Sequence, residues 1–272
     1  MPVISTGRES RERAMGRTSS GKIVGLINPG GSGGVEVGRR ERGRERWALT
    51  FTFVAWKPAG GELVAEPLRC RMPTSVRSLK GWMERLQPYS IIEVEAGRKG
   101  SDGATILKRI IRVGVEDAEL DGVAAAQKKP IVLVHPALGR FKYARRYGWY
   151  EGKLGWDGRK VDVCLSCADP ERPGPAIVAA ERLHADQVDW KRRVDDLMVQ
   201  TILPRWNDDW RPEEEPTLTR EEFLSKAVLD SIDVDGEGRV SFWHSDGDLL
   251  GGHSIVVHGD IDRGPTGVDM PG

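Results

Sequence analysis

A single helix interrupts a run of strands in the first half of the chain, and its place restricts what that half can become. Lys22–Asn28 is a short apolar strand. Trp47–Trp56 alternates, with Trp47, Leu49, Phe51 and Phe53 on one face, the period-two pattern of a strand buried on one side. Pro67–Met72 is a third strand. Ser75 then opens a helix that carries Val76, Leu79, Trp82, Met83 and Leu86 at spacings of three and four, and Pro88 stops it. Tyr89–Ala96 and Ala104–Val113 complete the series around a Gly-Ser-Asp-Gly turn.

Three strands, a helix and two more strands is the element order of an OB-fold, a small Greek-key barrel. The chain has 272 residues, enough for about two domains. The expected class is therefore α+β, an N-terminal OB-like β-barrel followed by a mixed α+β domain with β-hairpins and one long helix. Residues 1–21 are rich in Arg, Ser and Glu and read as a disordered tail. The barrel occupies 22–120, a linker 121–130 and the second domain 131–272. From Pro29 to Arg46 the chain is so dense in Gly and Arg that we expect a mobile loop, since glycine gives up the most backbone freedom on ordering.

In the second domain, Phe141–Trp149 and Lys160–Cys167 are strand-like, with Trp156-Asp157-Gly158 as a hairpin turn. Ala176–Leu203 contains neither Gly nor Pro and predicts one helix, ended by Pro204. Thr219 and Glu222 form a capping box, with Leu218 and Phe223 placed as a hydrophobic staple. Ser231–Val234 and Arg239–His244 pair around Asp235-Gly236, and a final strand covers Ser254–Gly259.

The net charge of zero hides an asymmetry. Residues 1–120 carry 21 Lys and Arg against 14 Asp and Glu, and the remainder 20 against 27. The first half is thus the better match for a polyanion. Arg69, Arg71, Arg98 and Lys99 are the candidate nucleic-acid contacts, with Lys108 and Arg109 as further phosphate partners. The aromatic stripe Trp47, Phe51, Phe53 could stack bases, but a small barrel is filled by its own side chains, and we expect core. No apolar run reaches the ~18 residues of a membrane helix, and the N-terminus has no apolar leader. Three cysteines make no disulfide framework, so the expected location is the cytoplasm.

Several strings imitate functional motifs without their chemistry. Gly16–Lys22 resembles a phosphate-binding loop, but Ile23 stands where a Ser or Thr would hold magnesium. Asp233–Val240 resembles the start of a calcium loop, but His244 replaces the closing Glu, and an Asp-Gly hairpin fits better. Gly259–Gly264 is a metallophosphatase string short of one residue and lacks its upstream partner, which leaves a charged turn. Cys164 and Cys167 have metal-like spacing with no second pair, and we read them as strand residues.

The densest run is Ser241–Asp260, which holds aromatics, carboxylates, glycines and three of the five histidines. It carries a resemblance together with His135-Pro136-x-Leu138-Gly139-x-Phe141, Trp149-Tyr150-Glu151-Gly152 and Trp156-x-Gly158-x-x-Val161. With Phe242-Trp243-His244-x-Asp246-Gly247-Asp248-Leu249, Gly252-His253-Ser254-Ile255 and the closing Pro271-Gly272, residues 131–272 resemble domain of unknown function family 2262. The family pattern has two large side chains where this chain has Leu250-Gly251. The resemblance implies no reaction, ligand or catalytic residue.

Within the run, His244, Asp246, Asp248 and His253 are the candidate ligand-binding residues. Histidine and carboxylate suit zinc, manganese or iron. The competing reading is an Asp246-Gly-Asp248 turn held by side-chain hydrogen bonds and braced by His253. We favour the loop and assign no catalytic residue, metal or cofactor. The expected function is a non-catalytic binding protein whose partner is a protein or a nucleic acid, of undetermined oligomeric state and without a membrane role. The alternative is a metal-dependent hydrolase, with His244, Asp246 and His253 as ligands and Asp248 as base.

Overall fold

The computed structural model describes residues 21–37, 47–167 and 169–271, and these divide into two compact units between Lys129 and Pro130. Residues 1–20 of the expected tail and most of the phosphate-loop imitation lie outside the described residues, as does Gly272.

The first unit is the expected barrel. Its strands are β1 (Lys22–Glu36), β2 (Trp47–Pro58), β3 (Leu68–Thr74), β4 (Ile91–Lys99) and β5 (Thr105–Val113), with α1 (Val76–Arg85) between β3 and β4. They close in the order β1-β2-β3-β5-β4. Closure depends on the pairing of β3 with β5, which is parallel and short, Cys70 with Thr105 and Arg71 with Ile106. Leu49, Phe51, Phe53, Met72, Ile92, Val94 and Leu107 fill the interior, so the aromatic stripe is core. Ser75 caps α1 by accepting the Ser78 N–H, and Leu79 is the helix's buried contact with the barrel.

Two expectations for this unit are corrected. The glycine-rich stretch from Pro29 does not begin a loop. Strand β1 continues through it to Glu36, and after a register shift Gly33 and Gly34 pair with Thr50 and Leu49. Glycine is required there by a close approach, because a Cβ at Gly34 would lie 2.3 Å from Leu79 Cδ2. Residues 38–46 of that stretch lie outside the description. The stretch 121–130 is also no linker, because most of it is helical. Helix α2 (Ala118–Lys128) starts where Asp117 accepts the Leu120 N–H. Its Leu120 and Ala124 pack on Leu26, Ala55 and Ile91 of the barrel. Alanine-rich sequence favours helix, and two apolar positions four apart suffice to dock it.

The second unit is an eight-stranded sheet with its helices packed on one face. The strands are β6 (Val132–His135), β7 (Gly139–Ala144), β8 (Trp149–Trp156), β9 (Arg159–Ser166), β10 (Leu229–Val234), β11 (Arg239–His244), β12 (Ile255–Asp260) and β13 (Gly264–Asp269). They lie in sequence order across the sheet. Neighbours are antiparallel except β9 and β10, which are parallel because the helical segment is the crossover between them. Helices α3 (Gly174–Ala185), α4 (Gln187–Arg205) and α5 (Arg220–Lys226) cover Tyr150, Trp156, Val163, Ile232, Phe242 and Val257 with Leu183, Trp190, Val194, Met198 and Phe223. The opposite face is polar, with Glu151, Cys164, Asp233, Ser241 and His258 in one cross-strand row.

Here too the sequence reading is refined. The single helix 176–203 is two, broken at Asp186, where the backbone leaves the helical region although no Gly or Pro marks the place. Pro204 does not end α4. The helix runs on to Arg205 and into a π-helical turn, Trp206–Trp210, closed by the Arg211 N–H on the Trp206 carbonyl. The single strand 141–149 is a hairpin that turns at 145–148, and β6 and β13 had no sequence signal strong enough to place them. The capping box of Thr219 and Glu222 and the hairpin at Asp235 form as expected.

Phe141 and Gly152 of the family signature are a cross-strand pair. A Cβ on Gly152 would lie 2.4 Å from Phe141 Cδ1 and 2.8 Å from the Arg140 carbonyl oxygen. Gly152→Ala should therefore overpack the site and cost about 2 kcal/mol. An unchanged denaturant midpoint would contradict the contact.

Candidate functional site

The residues singled out in the sequence separate into two places. On the barrel, β3 carries Arg69 and Arg71 two positions apart, hence on one face, opposite Thr52 and Thr50 of β2. The hairpin between β4 and β5 leans over them. Arg69 Nη2 donates to the Asp102 carbonyl at 2.5 Å, and Arg71 Nη2 to the Asp102 carboxylate at 2.6 Å. Arg71 Nε is buried without a hydrogen-bond partner. Lys99 belongs to the same corner, since it pairs with Thr105, which pairs with Cys70 between the two arginines. Arg98 and Lys99 are exposed and make no ion pair among the described residues.

Elsewhere on the barrel several cations share a carboxylate. Glu95 receives Lys108 and Arg109 at 3.2 and 2.9 Å, and these bonds hold its carboxyl below the usual range. Glu93 lies 3.6 Å from Lys22 and 3.8 Å from Arg112. Lys57 is held by Asp117 and Glu119. At the corner Asp102 is the one carboxylate bonded to Arg71, while Arg98 and Lys99 have no ion pair among the described residues, so the four cations there outnumber their anions.

In the second unit His244, Asp246, Asp248 and His253 do not come together. Among the described residues no three His, Cys, Asp or Glu side chains are grouped as metal ligands would be. Asp246 is buried and its carboxylate is consumed by the main chain. Oδ1 accepts the Asp248 N–H at 3.2 Å, and Oδ2 accepts those of Leu250 and Gly252 at 2.7 and 3.0 Å. Burial alone would raise its pKa, and these bonds hold it below the ordinary value. Asp248 and His253 are exposed. Asp246, not His253, braces the loop. His244 turns the other way, onto the helix-covered face, where only 4% of it is exposed.

A further constellation escaped the sequence reading. On the polar face, Ser241 Oγ lies 3.0 Å from His258 Nδ1, and His258 Nε2 lies 3.2 Å from Asp269 Oδ2. Order and distances imitate a nucleophile, base and orienting acid. The setting does not fit, because β11 is paired on both sides and its N–H groups are committed to the ladder. Ser241 is paired with Asp233 on one side and His258 on the other, and Asp269 is 75% exposed. We read the trio as a cross-strand polar ladder. Only the register of β11 to β13 brings it together, and the spacing of 241, 258 and 269 gives no hint of it. Beside it, Asp233 accepts the Trp243 indole N–H at 2.8 Å, and burial raises its carboxyl pKa.

Comparison with known proteins bears on the two halves separately. Residues 135–270, half of the chain, match the family described as "Uncharacterized protein conserved in bacteria (DUF2262)". Residues 17–127 match a domain of unknown function, DUF7021. No curated protein matches the chain. Among solved structures, a deletion mutant of the single-stranded DNA binding protein from Thermus aquaticus is 14% identical, with 57% of this chain and 78% of that chain covered and a TM-score of 0.22. The tetrameric p202 HIN2 is 9% identical, over 54% and 73%, with a TM-score of 0.21. The barrel rests on its own strand pairing, and neither likeness adds to it. No helix among the described residues is long and apolar enough to cross a membrane.

Proposed function

We propose that the chain, which belongs to the DUF2262 family of uncharacterized proteins conserved in bacteria, is a binding protein without catalysis of its own, and that its barrel attaches to a single-stranded nucleic acid. The observation that carries this reading is the pair Arg69 and Arg71, fixed side by side on Asp102, whose carbonyl takes Arg69 and whose carboxylate takes Arg71. Two guanidinium groups share one residue's oxygens, so the corner keeps a positive balance that Arg98 and Lys99 enlarge. Phosphate oxygens replace the carboxylate naturally, because a guanidinium fork suits both. The Thr50 and Thr52 side chains of β2 supply hydroxyls beside them. The free thiols of Cys70, Cys164 and Cys167 fit a reducing compartment, and we place the protein in the cytoplasm.

Fluorescence anisotropy of a labelled oligonucleotide against salt tests this. Each phosphate contact on a single strand contributes about −0.7 to the slope of log K against log salt. Three contacts predict a slope near −2 and a loss of roughly tenfold or more between 50 and 200 mM salt. The Arg69→Ala, Arg71→Ala double variant should lower the slope by about 1.4. Asp102→Ala, which removes the competing carboxylate, should tighten binding. No binding at low salt, or a double variant that binds like the parent, would sink the proposal.

A further inference from the structure

Two edges bound the sheet of the second unit, β13 and β6. The first is guarded, since β13 carries Pro265, glycines and the exposed Asp269, and α4 packs against it. The second is open. Strand β6 pairs with β7 on one side without a bulge, and Val132-Leu133-Val134 carries no charge. The Tyr143 N–H donates to the Ile131 carbonyl at 2.9 Å. Hydrogen-bonded pairs alternate along an antiparallel ladder, so Leu133 and His135 also turn their main-chain groups to β7. Val132 and Val134 therefore turn theirs to the open edge, where no main-chain group meets them among the described residues. Their side chains are 37% and 70% exposed, while Ile131 and Leu133 pack onto the core.

The positions that face outward are Pro130, Val132, Val134 and Pro136, all exposed. Their order is the same in both directions about Leu133. A two-fold interface needs a surface that complements itself, and this edge does so. Let a second β6 lie antiparallel with its Leu133 opposite the first. Val132 then faces Val134 of the second copy, and Val134 faces its Val132. Each such pair exchanges both main-chain bonds, so every open N–H and carbonyl of the valines is satisfied. The valine side chains meet in the same pairs. Any other antiparallel register sets a valine carbonyl against a proline ring, which has no N–H to give.

We propose that β6 joins a second copy of this chain, antiparallel about a two-fold axis at Leu133, and so continues the sheet across two molecules. The prolines confine the pairing to the valines, so the interface is small and the dimer reversible. It uses nothing of the barrel corner and does not depend on the nucleic-acid reading.

Sedimentation velocity of the full chain should show monomer passing to dimer between about 10 μM and 1 mM, the affinity range of a small interface. Val134→Pro removes a donor only from the open edge and leaves the β6–β7 ladder whole. It should keep the parent's urea midpoint and weaken association about thirtyfold, through the bonds lost across the axis. If the ring disturbs β6 itself, the Val132→Lys, Val134→Lys double variant decides. It sets like charges opposite one another across the axis and should weaken association about tenfold or more. Leu133→Cys tests the register. The pair on the axis is a non-hydrogen-bonded one, with Cα atoms about 4.5 Å apart, within disulfide reach. Mild oxidation should link two copies there, with the parent and its own free thiols as the control. A chain that stays monomeric at about 1 mM would overturn the proposal. So would a folded Val134→Pro or double-lysine variant that associates like the parent, or Leu133→Cys chains that oxidation leaves unlinked.

Discussion

Asp246→Ala should lower the stability of the second domain by about 3 kcal/mol, although the residue touches no other ionisable group. Its carboxylate accepts three backbone N–H groups, from Asp248, Leu250 and Gly252, and so holds the whole turn between β11 and β12. A hydrogen bond to a charged group contributes about 1.5–3 kcal/mol, and the total is less than three such bonds because Gly252 is exposed and its N–H recovers water when released. The loop has few other ways to keep its course, since Asp248 holds a φ of 66° against its own preference. Asp246→Asn retains one acceptor oxygen and should lose about half as much. Linkage gives an independent check. The folded pKa lies below the ordinary carboxylate value, so the stabilisation is complete above about pH 4 and is lost as pH falls through the folded value. Urea unfolding of the three proteins at neutral pH and at pH 3 measures both effects. Equal midpoints for wild type and Asp246→Ala would mean that the turn is held by something else.

How much of this was legible beforehand depends on the range over which each signal acts. The barrel could be read because its evidence is local: alternation in Trp47–Trp56, the Ser75 cap, the Gly-Ser-Asp-Gly turn, and an order of elements that few folds use. The capping box at Thr219 and the Asp235 hairpin are local in the same way. What was missed depends on contacts distant in sequence. Gly34 reads as part of a loop because nothing near it in sequence announces that Leu79 lies on it. The stretch 121–130 reads as a linker because the partners of Leu120 are Leu26, Ala55 and Ile91, far upstream. Asp186 breaks a helix without any residue that usually does so. The family signature is explained mainly by packing. Phe141 lies on Gly152, Phe242 lies against Trp156 and Trp190, Trp243 bonds Asp233, and Asp246 ties its own loop. His135 joins this set, taking the Leu138 N–H on Nδ1 and facing Glu181 with Nε2. Such residues are fixed by the fold whatever the function. His244 stands apart, since its buried Nδ1 goes unpaired. Arg159 and Lys191, which line a pocket with it, carry no sequence signal, because each is an ordinary surface charge until the sheet and α4 bring them to one rim.

Acidification between pH 6.5 and pH 4 should cost the protein about 3 kcal/mol through His244 alone. The imidazole titrates at its ordinary value in the unfolded chain and at about 4 in the folded one, where burial excludes the charge and Arg159 and Lys191 oppose it further. The sign follows from proton counting. Below pH 6.5 the unfolded state takes up a proton that the folded state refuses, so each step down in pH favours unfolding until the folded imidazole is itself protonated. The stabilisation is whole above pH 6.5 and is spent by about pH 4. Asp157 and Asp195 also stand at the rim, but Lys191 engages both, so neither is free to stabilise an imidazolium. Other acid-sensitive bonds, such as those of Glu95 and Glu222, weaken only toward the bottom of this window, because their carboxyls are held below the usual range. His244→Phe separates the contributions. It removes the titrating group and the unpaired Nδ1 together, with the pocket beside it to receive the larger ring, so at pH 7 it should be as stable as the parent or about 1 kcal/mol more so. At pH 4.5 it should exceed the parent by a further 2 kcal/mol or so. Parallel pH profiles for the two proteins would show that His244 is charged or paired in the folded state, and the assignment of a neutral imidazole would go with it.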